Sequence, residues 1–158
     1  MEFTDKKKKL KILIGSGKKI AGLALPFLAA GLVLNILFPA VFGVGGPSYV
    51  LTVVSAAILA VGLVVWLWSA VLILIKVPRK ELITKGPFAL MKHPLYTGVA
   101  MLVLPWAGFL LNSWLGLAVG IVIYIGCRLY APEEEGILSR AFGAQWDEYC
   151  HKVALPWL

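Results

Sequence analysis

The residues able to do chemistry lie in two short stretches. The first is Gly86-Pro87-Phe88 followed by Lys92-His93-Pro94-Leu95-Tyr96-Thr97-Gly98. The second is Glu133-Glu134-Glu135, continuing through Leu138, Phe142-Gly143, Trp146, Tyr149 and Val153. Adjacent carboxylates accept charge-assisted hydrogen bonds from an ammonium group and neutral ones from ribose hydroxyls, so the glutamates suit a cationic or polyhydroxyl ligand. His93 and Glu134 are the candidates for a general base if the reacting group is an amine or a thiol. Pro94 suits a first helical turn, where its missing N–H costs nothing. His93 then stands at the helix start, Tyr96 lies one turn in, and the open N–H groups could hold a carboxylate or phosphate. Each stretch also has a plainer account. The first is a basic, aromatic anchor before a membrane span, and the second is negative charge in the first turn of a helix, where it suits the helix dipole.

The elements that must position these groups are apolar. The 158 residues are 60% hydrophobic and 15% charged, with a mean hydropathy of +0.88, against roughly 25% charged residues in soluble domains. No Asp, Glu, Lys or Arg falls between Ile20 and Ile75, nor between Leu95 and Cys127. Uncharged apolar runs of about 20 residues read as membrane spans. The expected fold is an all-α integral membrane protein with about four transmembrane helices, near residues 20–42, 49–75, 95–111 and 114–130. The last two form a short helical hairpin. Gly43 to Ser48 and Asn112-Ser113 are the turns. From Pro132 onward, apolar residues at helical spacing predict an amphipathic C-terminal helix whose stripe lies on the membrane or covers the spans. A cleaved leader is not expected, since the first apolar run is too long and a second span follows it.

Basic residues set the orientation. Lys6, Lys7, Lys8, Lys9, Lys11, Lys18 and Lys19 precede the first span. Lys76, Arg79, Lys80, Lys85 and Lys92 lie between the second and third, and Arg128, Arg140 and Lys152 close the chain. The two opposite loops carry no Lys or Arg. The positive-inside rule puts both termini, the middle loop and the C-terminal helix on the cytoplasmic side. The net charge of +7 then points to anionic membrane lipids, not to nucleic acid. Cys127 and Cys150 show no metal-ligand spacing, so no zinc site is expected, and a reducing setting argues against a disulfide. The chain divides into a basic N-terminus (1–19), a two-helix scaffold (20–75) and a region carrying the polar groups (76–158).

Taken in order, Gly-Pro-Phe, His-Pro-Leu-Tyr-Thr-Gly, a short hairpin and Glu-Glu-x-x-Leu-x-x-x-Phe-Gly-x-x-Trp-x-x-Tyr resembles the isoprenylcysteine carboxyl methyltransferase family, a relative of the membrane phospholipid N-methyltransferases. The resemblance covers roughly Thr84 to the C-terminus. It implies an integral membrane, S-adenosylmethionine-dependent methyltransferase acting on a lipophilic or lipidated acceptor that enters from the bilayer: an isoprenylcysteine-like carboxylate, or a lipid amine or thiol. Carried over residue by residue, it implies a cofactor pocket formed by Lys92, His93, Leu95, Tyr96, Gly98, Glu134 and Glu135. The chain departs from the family pattern at Lys92, where arginine is usual, at Trp146, where tyrosine is common, and in Val153-Ala154-Leu155-Pro156-Trp157-Leu158, where the family often has Val-Pro-Arg-aromatic. A lysine keeps the charge but loses the bidentate fork. Two other classes compete: a small non-catalytic membrane protein, and a membrane reductase using a nicotinamide cofactor.

Overall fold

The computed structural model describes residues 17–46 and 48–156. Lys6 to Lys11, Pro47, Trp157 and Leu158 lie outside the described residues. Among the described residues the regular structure is helical, apart from an isolated parallel bridge between Met91 and Leu155. Three helices are long and apolar enough to cross a membrane: α1 (Gly17–Leu37), α3 (Tyr49–Lys76) and α6 (Leu115–Phe142). A shorter apolar helix, α5 (Pro94–Leu110), pairs with α6. Their outer surfaces are apolar. Leu25, Ile36, Val53, Val64, Leu67 and Ile125 are all exposed, a distribution that water would penalise and lipid would not.

The helix bounds follow local chemistry. The apolar run expected to continue to residue 42 stops at Leu37, because Pro39 pushes Phe38 out of the helical region (φ −132°, ψ 60°). The chain restarts as the short helix α2 (Pro39–Phe42). Ser48 caps α3, its hydroxyl accepting from the Leu51 N–H at 3.5 Å. After α3 a 3-10 turn (Val77–Arg79) and a left-handed Lys80 (φ 58°) reverse the chain. The short helix α4 (Pro87–Leu90) follows Gly86 (φ 65°). A side chain at Gly86 would be strained by that backbone and would meet the Trp68 ring at 3.0–3.2 Å.

Within α5 the residues Val99–Val103 form a π turn. A proline two residues past this stretch supplies the reason: Pro105 cannot donate and its ring crowds the carbonyl of Met101. The wider turn, with the Leu104 N–H bonded to the Val99 carbonyl, relieves that crowding. α5 and α6 then approach until their backbones touch. A Cβ on Gly120 would lie 2.3 Å from the Ala100 carbonyl oxygen. The turn between them is tied to the α1–α2 end: Ser113 Oγ donates to Asn35 Oδ1 at 2.9 Å, and Trp114 Nε1 donates to the Val41 carbonyl at 3.1 Å.

Two expectations for the C-terminal region are corrected. Pro132 does not begin a new helix; it lies inside α6, which continues to Phe142. Proline removes a single N–H bond there, and the packing of Cys127 and Ala131 on Ile20 of α1 holds the helix through it. The break comes at Gly143 (φ 52°, ψ −125°), and α7 (Ala144–Lys152) follows. The predicted apolar stripe is real but turns to a different partner. Trp146, Tyr149 and Val153 form a buried cluster with Leu82, Leu138, Phe142 and Cys150, so α7 packs on the loop after α3.

Candidate functional site

The middle loop is held from the far end of the chain. The Tyr149 hydroxyl donates to the Phe88 carbonyl at 2.7 Å. Ala154 and Leu155 donate backbone N–H bonds to the carbonyls of Ala89 and Leu90 at 3.2 and 2.7 Å. Burial pushes the Tyr149 phenol above its ordinary value, keeping it a donor. This clasp fixes α4, and α4 fixes the start of α5.

At that start the two polar stretches meet. Lys92 Nζ donates to the Glu135 carboxylate at 2.8 Å, and His93 Nε2 stands 3.2 Å from Glu135 Oε1, where an Nε2 proton would donate to it. The pairing spans 42 residues of sequence for His93. It is shielded: the Lys92, His93 and Glu135 side chains are 15%, 8% and 27% exposed. The Tyr96 ring stacks near His93, centroids 6.4 Å apart, and packs into the Ile20–Cys127–Ala131 cluster. Its hydroxyl reaches the backbone of Gly17, so α1 also comes to the site.

The three glutamates divide their work. Glu135 binds Lys92 and His93. Glu133 faces outward and pairs with Lys19, whose ammonium also lies 5.5 Å from the Tyr130 ring centroid. Both Lys19 and Glu133 are half-exposed or more. Glu134 Oε2 is buried with no hydrogen-bond partner. A buried, unbonded carboxylate oxygen is expensive, and a ligand cation or hydroxyl would relieve it.

Between α5 and α6 lies a polar cavity of about 20 Å³. His93 and Thr97 line it from α5, Tyr124, Cys127, Arg128, Ala131 and Glu135 from α6, and Pro156 from the tail. Of the expected pocket residues, Lys92, Leu95, Tyr96, Gly98 and Glu134 are not among its walls; Gly98 faces α3, where its Cβ would meet Val65. A volume of this size holds about one water. Beside it an apolar groove of about 310 Å³ runs between Ala100, Met101, Pro105, Trp106 and Phe109 of α5 and Leu117, Gly120, Ile121 and Tyr124 of α6. Tyr124 belongs to both.

Sequence reasoning did not single out Thr97, Tyr124 or Arg128 for this site. Thr97 sits inside the first motif. Arg128 lies seven residues before Glu135 and Tyr124 four before Arg128, a spacing that repeats on one helical face. Among the described residues no group of three or more His, Cys, Asp or Glu is arranged to hold a metal ion.

A helical protein suited to lipid, with a shielded Lys–His–Glu cluster at the end of a short hairpin, defines the class. Its similarities are to protein-S-isoprenylcysteine O-methyltransferases. The chain is 32% identical over 83 residues to protein-S-isoprenylcysteine O-methyltransferase B of Arabidopsis thaliana, covering 51% of this chain and 42% of that protein. It is 33% identical over 84 residues to form A of the same plant, covering 51% and 43%. It is 32% identical over 82 residues to a probable protein-S-isoprenylcysteine O-methyltransferase of Oryza sativa subsp. indica, covering 51% and 43%. The match thus spans less than half the length of these relatives. No family model matches the chain, and no solved structure matches it.

Proposed function

We propose that this protein is an integral membrane methyltransferase that uses S-adenosylmethionine and acts on a lipophilic acceptor entering from the bilayer. The observation that carries the reading is the meeting of Lys92 and His93 with Glu135 across the α5–α6 hairpin, next to a Glu134 oxygen left buried and unbonded. The donor set suits the cofactor's chemistry: Glu134 would take its ammonium or ribose hydroxyls, and Tyr96 would bound the pocket. When bound, S-adenosylmethionine supplies an activated methyl on a sulfonium. The protein's own part is to hold Glu135 against Lys92 and His93, to exclude water, and to align the acceptor. His93 or Glu134 is available to take a proton from an amine or thiol acceptor; a carboxylate acceptor needs none.

The cavity has space for about one water, so binding a nucleoside requires its walls to part. For topology we propose four crossings by α1, α3, α5 and α6. α5, at 17 residues, is about 25 Å long at 1.5 Å per residue. The basic residues Lys18, Lys19, Lys76, Arg79, Lys80, Lys85 and Lys92 gather at one end, which supports a cytoplasmic site.

The test is calorimetric binding of S-adenosylhomocysteine to the purified protein, with Glu134→Gln as the variant. We expect binding, a raised melting temperature by mass action, and weaker affinity in the variant. The small cavity favours the rival reading, a membrane protein without catalysis. Absence of S-adenosylhomocysteine binding would end the proposal.

A further inference from the structure

Thr97 is the residue that the site's cofactor chemistry leaves unused. It is 3% exposed, it lines the polar cavity, and its hydroxyl has no hydrogen-bond partner. Threonine and serine in helices commonly satisfy the hydroxyl on the carbonyl four residues back. Ser69 does so here, donating to the Val65 carbonyl at 2.7 Å. Thr97 does not, although its N–H bonds the His93 carbonyl at 3.0 Å. Ser55 Oγ is also buried and unbonded, but it lines neither the cavity nor the groove. An orphaned buried hydroxyl costs free energy until a ligand pairs with it.

Position decides which ligand. Thr97 lies one helical turn beyond His93, away from the loop and toward the middle of the hairpin. On the facing helix the residues that line the cavity run from Glu135 back to Tyr124. Glu135 and His93 mark its charged end. Tyr124 marks the other, and the same side chain is a wall of the apolar groove. Cavity and groove thus lie on either side of one shared wall, Tyr124. A single ligand with a polar head and one apolar chain can place its head at Thr97 and its chain along Met101, Trp106, Phe109 and Ile121.

Resting on the methyltransferase reading, we infer that Thr97 is an acceptor-positioning residue whose hydroxyl hydrogen-bonds the polar head of a single-chain lipid amphiphile lying in the α5–α6 groove past Tyr124. The hydroxyl can donate to an acceptor oxygen or accept from an acceptor N–H. It acts on the acceptor and not on the cofactor, which meets the glutamates at the charged end.

The experiment compares Thr97→Val and Thr97→Ser with the wild type in the full-length protein. The valine keeps the volume and removes the hydroxyl; the serine keeps the hydroxyl. S-farnesylcysteine is the acceptor probe, with binding read from quenching of groove tryptophan fluorescence, and with Trp106→Phe to assign the signal. The inference expects the valine variant to bind S-adenosylhomocysteine as the wild type does, to melt no lower, and to bind the probe roughly tenfold more weakly, with KM raised more than kcat is lowered. Serine should restore most of the loss. Equal probe affinity in wild type and Thr97→Val overturns the inference, as does failure of the wild type to bind the probe. Loss of S-adenosylhomocysteine binding in Thr97→Val also overturns it, by moving Thr97 to the cofactor. None of these results touches the methyltransferase reading, which falls only if the wild type itself does not bind S-adenosylhomocysteine.

Discussion

Glu135→Gln keeps the shape of the side chain and removes its charge. Two groups face it: the Lys92 ammonium at 2.8 Å and the His93 imidazole at 3.2 Å. The cost depends on how far these groups are withdrawn from water. Exposed pairs contribute about 0–1 kcal/mol, whereas stripping one partner from a fully buried pair costs about 3–5 kcal/mol. With Lys92 15% and Glu135 27% exposed, the site lies between these limits, at about 2 kcal/mol. At about 2–4 °C per kcal/mol for a chain of this size, melting should fall by about 4–8 °C. The assay is thermal unfolding in one detergent without ligand, extended to a double-mutant cycle with Lys92→Met. The cycle should give a coupling of at least about 1 kcal/mol, because removing both charges leaves neither stranded. Glu133→Gln is the internal control. Its partner Lys19 is 50% exposed and Glu133 is 60% exposed, so the change should cost less than about 0.5 kcal/mol. If Glu135→Gln melts within a degree of the wild type, or the cycle is additive, the shielded cluster does not hold the hairpin end together and the reasoning is wrong.

Tyr149→Phe should loosen the clasp on Phe88, costing about 1 kcal/mol in unfolding and speeding proteolysis of the loop at residues 80–90. The phenol's raised pKa fixes the sign of its pH dependence. The folded state keeps this proton more firmly than the unfolded chain, so the stability it contributes is full below about pH 10 and is lost as pH rises beyond it. The phenylalanine variant should therefore show a shallower alkaline loss of stability than the wild type. Gly86→Ala should destabilise by about 1–3 kcal/mol, since the residue needs φ 65° and its Cβ would press on Trp68; near-wild-type melting would show that the loop can shift. Gly120→Ala should force α5 and α6 apart at Ala100, and engineered cysteine pairs across that contact should cross-link more slowly than without the substitution.

The helices were legible because lipid makes the strongest demand that a sequence can display, a long run without charge. α3 matches its expected span within a residue or two for that reason, and Ser48 marks its start. The ends set by a single proline were harder. Pro39 broke a run that stayed apolar on both sides, and Pro132 failed to break one, because packing against Ile20 outweighed one missing N–H. Nothing local distinguishes these two prolines. The meeting of the two polar stretches could be inferred from a hairpin of two similar lengths. The division of labour among Glu133, Glu134 and Glu135 could not, since it depends on the rotation of α6 relative to α1 and α5. The docking of α7 on Leu82 was hidden for a similar reason: a stripe shows that a helix has a buried face and not what covers it. Thr97 was invisible as a site residue because an unsatisfied hydroxyl is a property of the folded surroundings.

The clasp of Ala154 and Leu155 on Ala89 and Leu90 also has a meaning for biosynthesis. The chain leaves the ribosome N-terminus first, and 63 residues separate His93 from Pro156. At about 5–20 residues per second these take about 3–12 s to emerge. Throughout that interval α1 and α3 can already reside in the bilayer while the loop bearing Lys92 and His93 has neither its counter-charge nor its tether. Insertion and assembly of the polar cluster are thus separate events in time. A ribosome that stalls late would leave a protein fully embedded yet open at its charged end, and such a chain would present quality-control proteases with an untethered loop at residues 80–90 as the mark of its incompleteness.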